Sequence, residues 1–189
     1  MAFTFDPSVG TATSNSYASV ADADDYFAAH LDGTDYWTVL TTAQKQAVLV
    51  QATNRIDRER FGGQKTYYGI QRLQWPRNGI VDRNYQADST YAPTFENTGF
   101  YYRDPLSIPM ELKQATCEQA LYLLKYKQGD AATVEDYDLE TLDSYKIGPL
   151  DMKVKAGIKA DRLQTTVKEL IQAIGPNAWT GANGIRFYA

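Results

Sequence analysis

The 189-residue chain is poor in the residue types that build metal and redox sites. Its single cysteine, Cys117, excludes an internal disulfide and a cysteine-based zinc cluster. Its single histidine, His30, excludes metal sites that need paired imidazoles. No apolar run approaches the roughly 20 residues that span a bilayer, and the N-terminus lacks the basic and apolar regions of a signal peptide. We therefore predict a soluble protein with no metal site, no cofactor and no membrane partner.

The chain also lacks an excess of positive charge, because its formal net charge is -4. A general nucleic-acid binder concentrates lysine and arginine on one surface. Between residues 62 and 106, cations alternate with aromatic rings as they do in single-strand binders, but acidic residues in the same stretch nearly cancel their charge. Affinity for phosphates comes mainly from neutralised charge, so this stretch predicts weak binding at physiological salt.

Catalytic signatures are missing as well. The sequence contains no GxSxG, HExxH, CxxC or dinucleotide-binding glycine pattern. The fragment GGQKT at residues 62–66 resembles a phosphate-binding loop, but Gln64 separates Gly63 from Lys65 and a helix precedes it instead of a strand. Cys117 falls on the apolar stripe of a helix and is most simply a small core residue. We therefore predict no enzyme activity and no catalytic residue.

Tyrosine is abundant, with 14 copies, and aromatic residues make up 13% of the chain. Tyrosine and tryptophan combine a large apolar area with a polar group, and they are enriched at protein–protein contacts. Two interpretations stay open at this point. The rings either fill a large core or form contacts with other proteins.

Helical periodicity and capping residues predict four helices in a mainly α, single-domain chain. The first begins at Ser19, whose hydroxyl can cap it, with Asp22 three residues on, and the others span residues 41–61, 107–128 and about 161–174. Thr41 and Gln44 have the spacing of a capping box. Residues 144–155 alternate in polarity around a Gly-Pro pair and predict a bent strand or a β-hairpin.

Three segments outside these elements carry their own predictions. Residues 1–18 form an extended N-terminal arm, and residues 62–106 form a long aromatic loop with short strands near 67–73 and 99–103. Residues 176–189 form an aromatic tail, which needs either the body of the chain or a partner to dock against.

The third helix is apolar on two opposite faces and therefore has to lie between two layers. One face contains Met110, Cys117, Ala120, Leu121 and Leu124, and the other contains Leu112, Ala115, Tyr122, Leu123 and Tyr126. The second layer comes either from the same chain or from a neighbouring copy. The sequence leaves both possibilities open.

Several segments occur in an order that is characteristic of one family. They are YASVADADDY at 17–26, the helix 47–61 leading to LQWPR at 73–77, IPMEL at 108–112 and KIGPL at 146–150. Together they resemble the tailed-phage family of DnaT-like single-stranded-DNA-binding proteins, over residues 17–175. Many members of that family look like head-to-tail adaptors, also called head completion or connector proteins.

The resemblance implies a four-helix adaptor-type subunit with a β-hairpin and a long ordered loop. Such subunits assemble in the host cytoplasm into a homo-oligomeric ring, commonly of twelve copies, beneath the portal in the neck of the bacteriophage virion. The ring passes genomic DNA through its lumen during ejection without sequence-specific contact, and it joins the portal to a downstream neck or tail protein. The family label implies an alternative, a single-stranded-DNA-binding accessory protein of replication. The two-faced helix and the surplus of aromatic residues favour the adaptor.

On the adaptor interpretation, two groups of residues are the expected contact sites. The tail residues expected to bind the portal are Trp179, Arg186, Phe187 and Tyr188. The residues expected at the interface with a subunit or tail partner are Trp75, Arg77, Leu112, Ala115, Tyr122 and Tyr126. For Trp75 the alternative is that it fills the core of its own chain.

Overall fold

The computed structural model is mainly helical. It describes residues 4–31, 33–82, 102–128, 145–147, 150–152, 163–176 and 178–179. The helices are α1 (Val20–Ala28), α2 (Gly33–Tyr36), α3 (Thr42–Ile56), α4 (Met110–Gln128) and α5 (Thr165–Ile174). The strands are β1 (Gln64–Lys65), β2 (Arg77–Asn78), β3 (Tyr145–Ile147) and β4 (Leu150–Met152). The strands pair in chain order into two antiparallel ribbons, β1 with β2 and β3 with β4. Four longer helices and a hairpin at β3–β4 agree with the predicted class, and α2 is a single additional turn.

The predicted starts of the first two long helices are confirmed by their capping geometry. The Ser19 hydroxyl accepts the backbone N–H of Asp22, and the Asp22 carboxylate accepts the backbone N–H of Ser19. Thr41 and Gln44 form the same reciprocal pair at the start of α3. Each pair satisfies N–H groups that have no partner within the helix.

Two predicted helix ends are wrong. Helix α3 ends at Ile56, five residues earlier than predicted, because the N–H groups of Arg58 and Glu59 donate to carbonyls three residues back and form a tighter turn. Helix α5 begins after Gln164, not near Asp161, and Gln164 makes no capping hydrogen bond with its side chain. Its buried stripe of Val167, Ile171 and Ile174 shows that packing defines this helix more than capping does.

Helix α4 lies at the centre of the fold and packs on both sides against the same chain, although Met110 at its start is 62% exposed and Leu123 packs with the first face instead of the second. Leu112 and Ala115 are buried in a core cluster with α5, whereas Cys117, Ala120 and Leu121 are buried in a second cluster with α1 and α3. For these residues the second layer comes from the same chain, which is the first of the two alternatives that the sequence left open. Burial raises the pKa of the Cys117 thiol to about 12, in keeping with a core role.

Residues 4–16 form a closed loop held by hydrogen bonds. The Asn15 side-chain amide donates to the Thr4 carbonyl at 2.7 Å and accepts the Asp6 N–H at 2.9 Å. The Asp6 carboxylate accepts hydrogen bonds from Ser8 and Thr13, which lower its pKa. The loop packs inward from Ser14 onward, because residues 14–18 are all buried.

The far end of the long segment 62–106 is tied to α4 and α5 by Arg103. Its guanidinium makes a bidentate ion pair with the Glu111 carboxylate, at 3.1 and 2.6 Å, and donates to the Ile174 carbonyl at 3.1 Å. Asp82 completes the ion-pair group at 3.4 Å from Arg103. The start of α4 and the end of α5 are thereby fixed to the same point of the loop.

The predicted strand at 67–73 is wrong, since residues 66–70 form a turn. The second predicted strand lies mostly outside the described residues, and Tyr102 makes an isolated bridge with Val81. No helix in the described part of the chain is both long enough and apolar enough to cross a bilayer.

Two buried side chains have polar atoms without a hydrogen-bond partner in the described part of the chain, Trp75 through its indole N–H and Gln119 through its amide. Gln119 on α4 is fully buried, and neither polar atom of its amide has a hydrogen-bond partner among the described residues. A buried amide without partners costs free energy, because it has lost its hydrogen bonds to water. We expect Gln119→Met to raise the free energy of unfolding by about 1–2 kcal/mol, as measured by urea denaturation. The exposed Gln51→Met on α3 is the control, and a Gln119→Met chain that is less stable than wild type would contradict this expectation.

Candidate nucleic-acid interface

The most positively charged stretch that the structure describes is residues 60–81. It contains four basic residues and no aspartate or glutamate, within a chain whose net charge is -4. Its basic residues are Arg60, Lys65, Arg72 and Arg77. The acidic residues that nearly cancel the charge of the longer segment 62–106 all follow residue 81. Local positive charge is the first requirement for contact with a nucleic-acid backbone.

This stretch folds into the β1–β2 hairpin. Gln64 pairs with Asn78 and Lys65 pairs with Arg77, and the Thr66 N–H donates to the Pro76 carbonyl at 3.2 Å. Residues 66–76 therefore form one closed connection between two short strands. The pairing of β1 with β2 holds the two ends of this connection together.

The base of the hairpin is anchored in the core by Trp75, which is 1% exposed. Its ring packs edge-on against the Phe61 ring, with 5.8 Å between the centroids, and it belongs to the cluster that includes α5. The peptide bond between Trp75 and Pro76 is cis. Trp75 therefore fills the core of its own chain, which is the alternative that the sequence left open for it.

Arg77 is 7% exposed and is held entirely by acceptors of its own chain. Nε donates to the Gly62 carbonyl, and one Nη donates to the Phe61 and Gly63 carbonyls at 3.2 and 2.9 Å. The other Nη donates to the carbonyl and the side chain of Gln74 at 3.1 and 3.0 Å. These bonds use all five N–H donors of the guanidinium. Burial lowers the pKa of Arg77, and the cation is not available to a ligand.

Asp57 connects the same base to the end of α3. Its carboxylate accepts the phenolic O–H of Tyr17 and the backbone N–H of Gln74, the latter at 2.6 Å. Burial raises the pKa of Tyr17 well above its usual value, and the neighbouring Asp57 charge raises it further. The hairpin base is thus fixed from both sides, by Arg77 and by Asp57.

The tip of the hairpin is the tyrosine turn, which we define as residues 67–70. The N–H groups of Ile70 and Gln71 both donate to the Tyr67 carbonyl, at 3.1 and 3.0 Å. Gly69 has φ +88°, a left-handed conformation that side chains disfavour, and open space surrounds its Cα. Tyr68 is 91% exposed, Ile70 is 65% exposed and Tyr67 is 38% exposed. An almost fully exposed tyrosine ring at the tip of an anchored hairpin is a ready stacking surface.

Two cations belong to the same hairpin as these rings. The Lys65 ammonium donates to the carbonyls of Gln71 and Arg72 at 3.4 and 3.1 Å, which holds its charge at the foot of the turn. Arg72 is exposed, and its backbone N–H donates to the Thr11 carbonyl at 3.1 Å. The turn therefore combines stacking rings with positive charge.

The tyrosine turn rests on two neighbouring segments. Gly10, at φ +71°, lies against the Tyr67 ring so closely that a Cβ there would collide with the ring carbons. The Thr66 hydroxyl donates to the Pro105 carbonyl at 2.6 Å on the other side. These contacts hold one tyrosine ring against the body, while the Tyr68 ring remains free to meet a ligand.

The structure places most of the predicted interface residues in the interior. Trp75, Arg77, Leu112 and Ala115 are buried within one chain, so their side chains offer almost no surface to a neighbour. Tyr122 is half-buried on α4, and the side chain of Tyr126 lies outside what the structure describes.

Of the four predicted portal-binding residues, the structure describes only Trp179. Trp179 makes a bridge with Phe61, and its indole N–H donates to the Glu59 carboxylate at 3.2 Å. It therefore docks on the body of its own chain. Arg186, Phe187 and Tyr188 lie outside the described residues.

Sequence reasoning missed Tyr67, Tyr68 and Gln71 as site residues. The available signal was the restriction of the acidic residues to one end of the segment 62–106, together with a Tyr-Tyr-Gly step inside its acid-free part. No group of three histidine, cysteine, aspartate or glutamate side chains in the described ranges could hold a metal ion.

Comparison with known families concerns the chain as a whole. A family model described as "Putative DnaT-like ssDNA binding protein" matches residues 1–186. The chain belongs to this DnaT-like family. No curated protein and no solved structure matches it. The family description names single-stranded DNA, which agrees with the alternative function in the sequence analysis, and nothing in the comparisons indicates a phage head-to-tail adaptor.

The role of Arg77 in holding the hairpin base gives a stability prediction. A lysine has three donors on a point charge and cannot serve five acceptors spread over residues 61–63 and 74. We expect Arg77→Lys to lower the free energy of unfolding by about 3 kcal/mol in urea denaturation. The exposed Arg72→Lys is the matched control and should change it by less than about 0.5 kcal/mol. Equal stability of the two variants would show that the buried hydrogen bonds do not hold the hairpin.

Proposed function

We propose that this chain is a single-stranded-DNA-binding accessory protein and that the tyrosine turn is its DNA-contacting surface. The observation that carries the proposal is Tyr68, a 91% exposed ring in an acid-free, basic hairpin. The family description supports the choice of ligand. The structure supports the choice of surface, because it provides stacking rings and cations together.

Stacking explains why the ligand is a single strand. Every base has two aromatic faces, and in a duplex both are covered by the neighbouring base pairs, whereas an unpaired base can place one on a tyrosine ring. Tyr68 is available for such a contact, and Tyr67 supports it from the body side. Binding of this kind tolerates any sequence, because it does not depend on hydrogen bonds to base edges.

The basic residues of the hairpin determine where the phosphates of the DNA strand would lie. Lys65 and Arg72 lie on the same hairpin as the rings, so the phosphates that flank a stacked base meet positive charge. Arg77, the remaining cation of the hairpin, has no free donor. The site therefore draws more of its affinity from stacking than from charge.

The contribution of stacking can be measured with a fluorescent oligo-dT. One stacked base contributes about 1–3 kcal/mol, and 1.4 kcal/mol is a factor of ten in Kd. We expect Tyr68→Ala to raise the Kd roughly tenfold in fluorescence anisotropy. Tyr68→Phe keeps the ring and should bind as wild type does. A Tyr68→Ala chain with wild-type Kd would rule out the turn as the binding surface.

The small number of free cations predicts a shallow salt dependence. Each phosphate neutralised on a single strand contributes a slope of about -0.7 to log K against log salt concentration, so two cations give about -1.4. Titration of the wild-type chain with oligo-dT between 50 and 300 mM NaCl measures this slope. A slope steeper than about -4 would show that charges elsewhere in the chain dominate binding.

We also propose a second function, the ring-forming adaptor of a phage neck, because one surface favours it. Tyr102, Leu106 and Met110 lie close together in sequence at the entry to α4, and all three are large, apolar and mostly exposed. Interfaces between permanent subunits bury such side chains. This surface is separate from the residues that the sequence analysis assigned to the interface.

The adaptor proposal is tested by electron microscopy of the chain mixed with the portal of the same phage. The proposal is supported if a ring on the portal is lost in the Leu106→Asp and Met110→Asp variants but retained in Tyr68→Ala. It is contradicted if the wild-type chain leaves the portal particles bare. A tail deletion should begin at residue 180, because Ala178 and Trp179 belong to the core.

A further inference from the structure

Gln71 is an unexpected residue at its position, because it is polar and only 7% exposed. It lies directly after the tyrosine turn, between the exposed tip of the hairpin and its buried base. Burying a side-chain amide is unfavourable unless both of its ends are hydrogen-bonded. The surroundings of this amide therefore show what it holds in place.

Both ends of the Gln71 amide are occupied by backbone groups of the connection 66–76. Oε1 accepts the Tyr67 N–H at 3.2 Å, on the rising side of the turn. Nε2 donates to the Leu73 carbonyl at 2.8 Å and to the Pro76 carbonyl at 3.0 Å, on the returning side. One buried side chain thus joins the tip of the hairpin to the residues that flank Trp75.

The turn has few other internal supports. Its backbone hydrogen bonds both converge on the Tyr67 carbonyl, and Gly69 has open space around it. Without the Gln71 amide, the Tyr67 N–H would lose its acceptor, the Leu73 carbonyl would lose its donor, and the Pro76 carbonyl would keep only the Thr66 N–H. The turn would then sample several conformations, and DNA binding would have to order it.

We infer that Gln71 is a positioning residue that holds Tyr67 and Tyr68 in the arrangement that stacks on unpaired bases. It does not touch the DNA itself, because its side chain is enclosed. This inference rests on the proposed single-stranded-DNA function and adds to it the residue that pre-organises the site.

The test uses the full chain with Gln71→Met, which keeps the length of the side chain and removes all three hydrogen bonds. The matched control is the exposed Gln64→Met in strand β1. We expect amide hydrogen exchange at Tyr67 and Ile70 to accelerate about tenfold in Gln71→Met and to stay unchanged in the control. We expect the Kd for oligo-dT to rise about fivefold in Gln71→Met only. Should Gln71→Met fail to fold, Gln71→Asn, whose shorter amide cannot reach both sides of the turn, takes its place.

A double-mutant cycle separates positioning from general destabilisation. If Gln71 acts through the rings, its substitution should change the Kd by less than twofold in a Tyr68→Ala chain. A fivefold loss in that background as well, or unchanged exchange at Tyr67, would overturn the inference while leaving the proposed function standing. Absence of oligo-dT binding by the wild-type chain would overturn the proposed function and the positioning role with it, even if hydrogen exchange showed that Gln71 holds the turn.

Discussion

The buried guanidinium of Arg77 is the interaction on which the described architecture of the hairpin depends. A cation this deeply enclosed is tolerated only when its donors are satisfied, and five acceptors on residues 61–63 and 74 satisfy them. Those acceptors belong to the chain that leaves α3 and to the chain that returns toward β2. Arg77 therefore holds these two segments together. Trp75, two residues earlier, is buried in the core cluster with α5 and anchors the base of the hairpin there.

The properties of the surface follow from that anchoring. Arg77 and Asp57 hold the base of the hairpin, the Gln71 amide joins that base to the Tyr67 backbone, and the neighbouring Tyr68 is 91% exposed. An exposed aromatic ring on a mobile loop would lose entropy on binding, whereas a ring that is already placed loses little. The division of labour between cations is equally clear. Arg77 holds the hairpin in shape through its buried hydrogen bonds, while Lys65 and Arg72 supply the positive charge of the proposed site.

The helical part of the fold could be predicted from the sequence because its signals are local. The capping pairs at Ser19 and Thr41 and the stripe on α5 lie within a few residues of each other. The hairpin could not be predicted, because its determinants are distant along the chain. Nothing near Arg77 in the sequence shows that acceptors of its own chain will occupy all of its N–H donors. The sequence therefore predicts an interface role for it. The sequence predicts a short strand near 67–73, whereas the Gln71 amide and Gly69 support a turn there. The second apolar face of α4 left open whether a neighbouring copy or the same chain covers it, and α5 of the same chain packs on its Leu112 and Ala115.

We propose that this DnaT-like chain contacts single-stranded DNA through the anchored tyrosine turn. Photocrosslinking to an oligo-dT that carries 5-iodouracil, followed by mass spectrometry of the digested chain, tests it most directly, because the halogenated base reacts with aromatic rings on which it stacks. The account predicts crosslinks at Tyr68 or Tyr67 within the peptide that spans 66–72. Crosslinks confined to residues outside the hairpin 64–78 would contradict it.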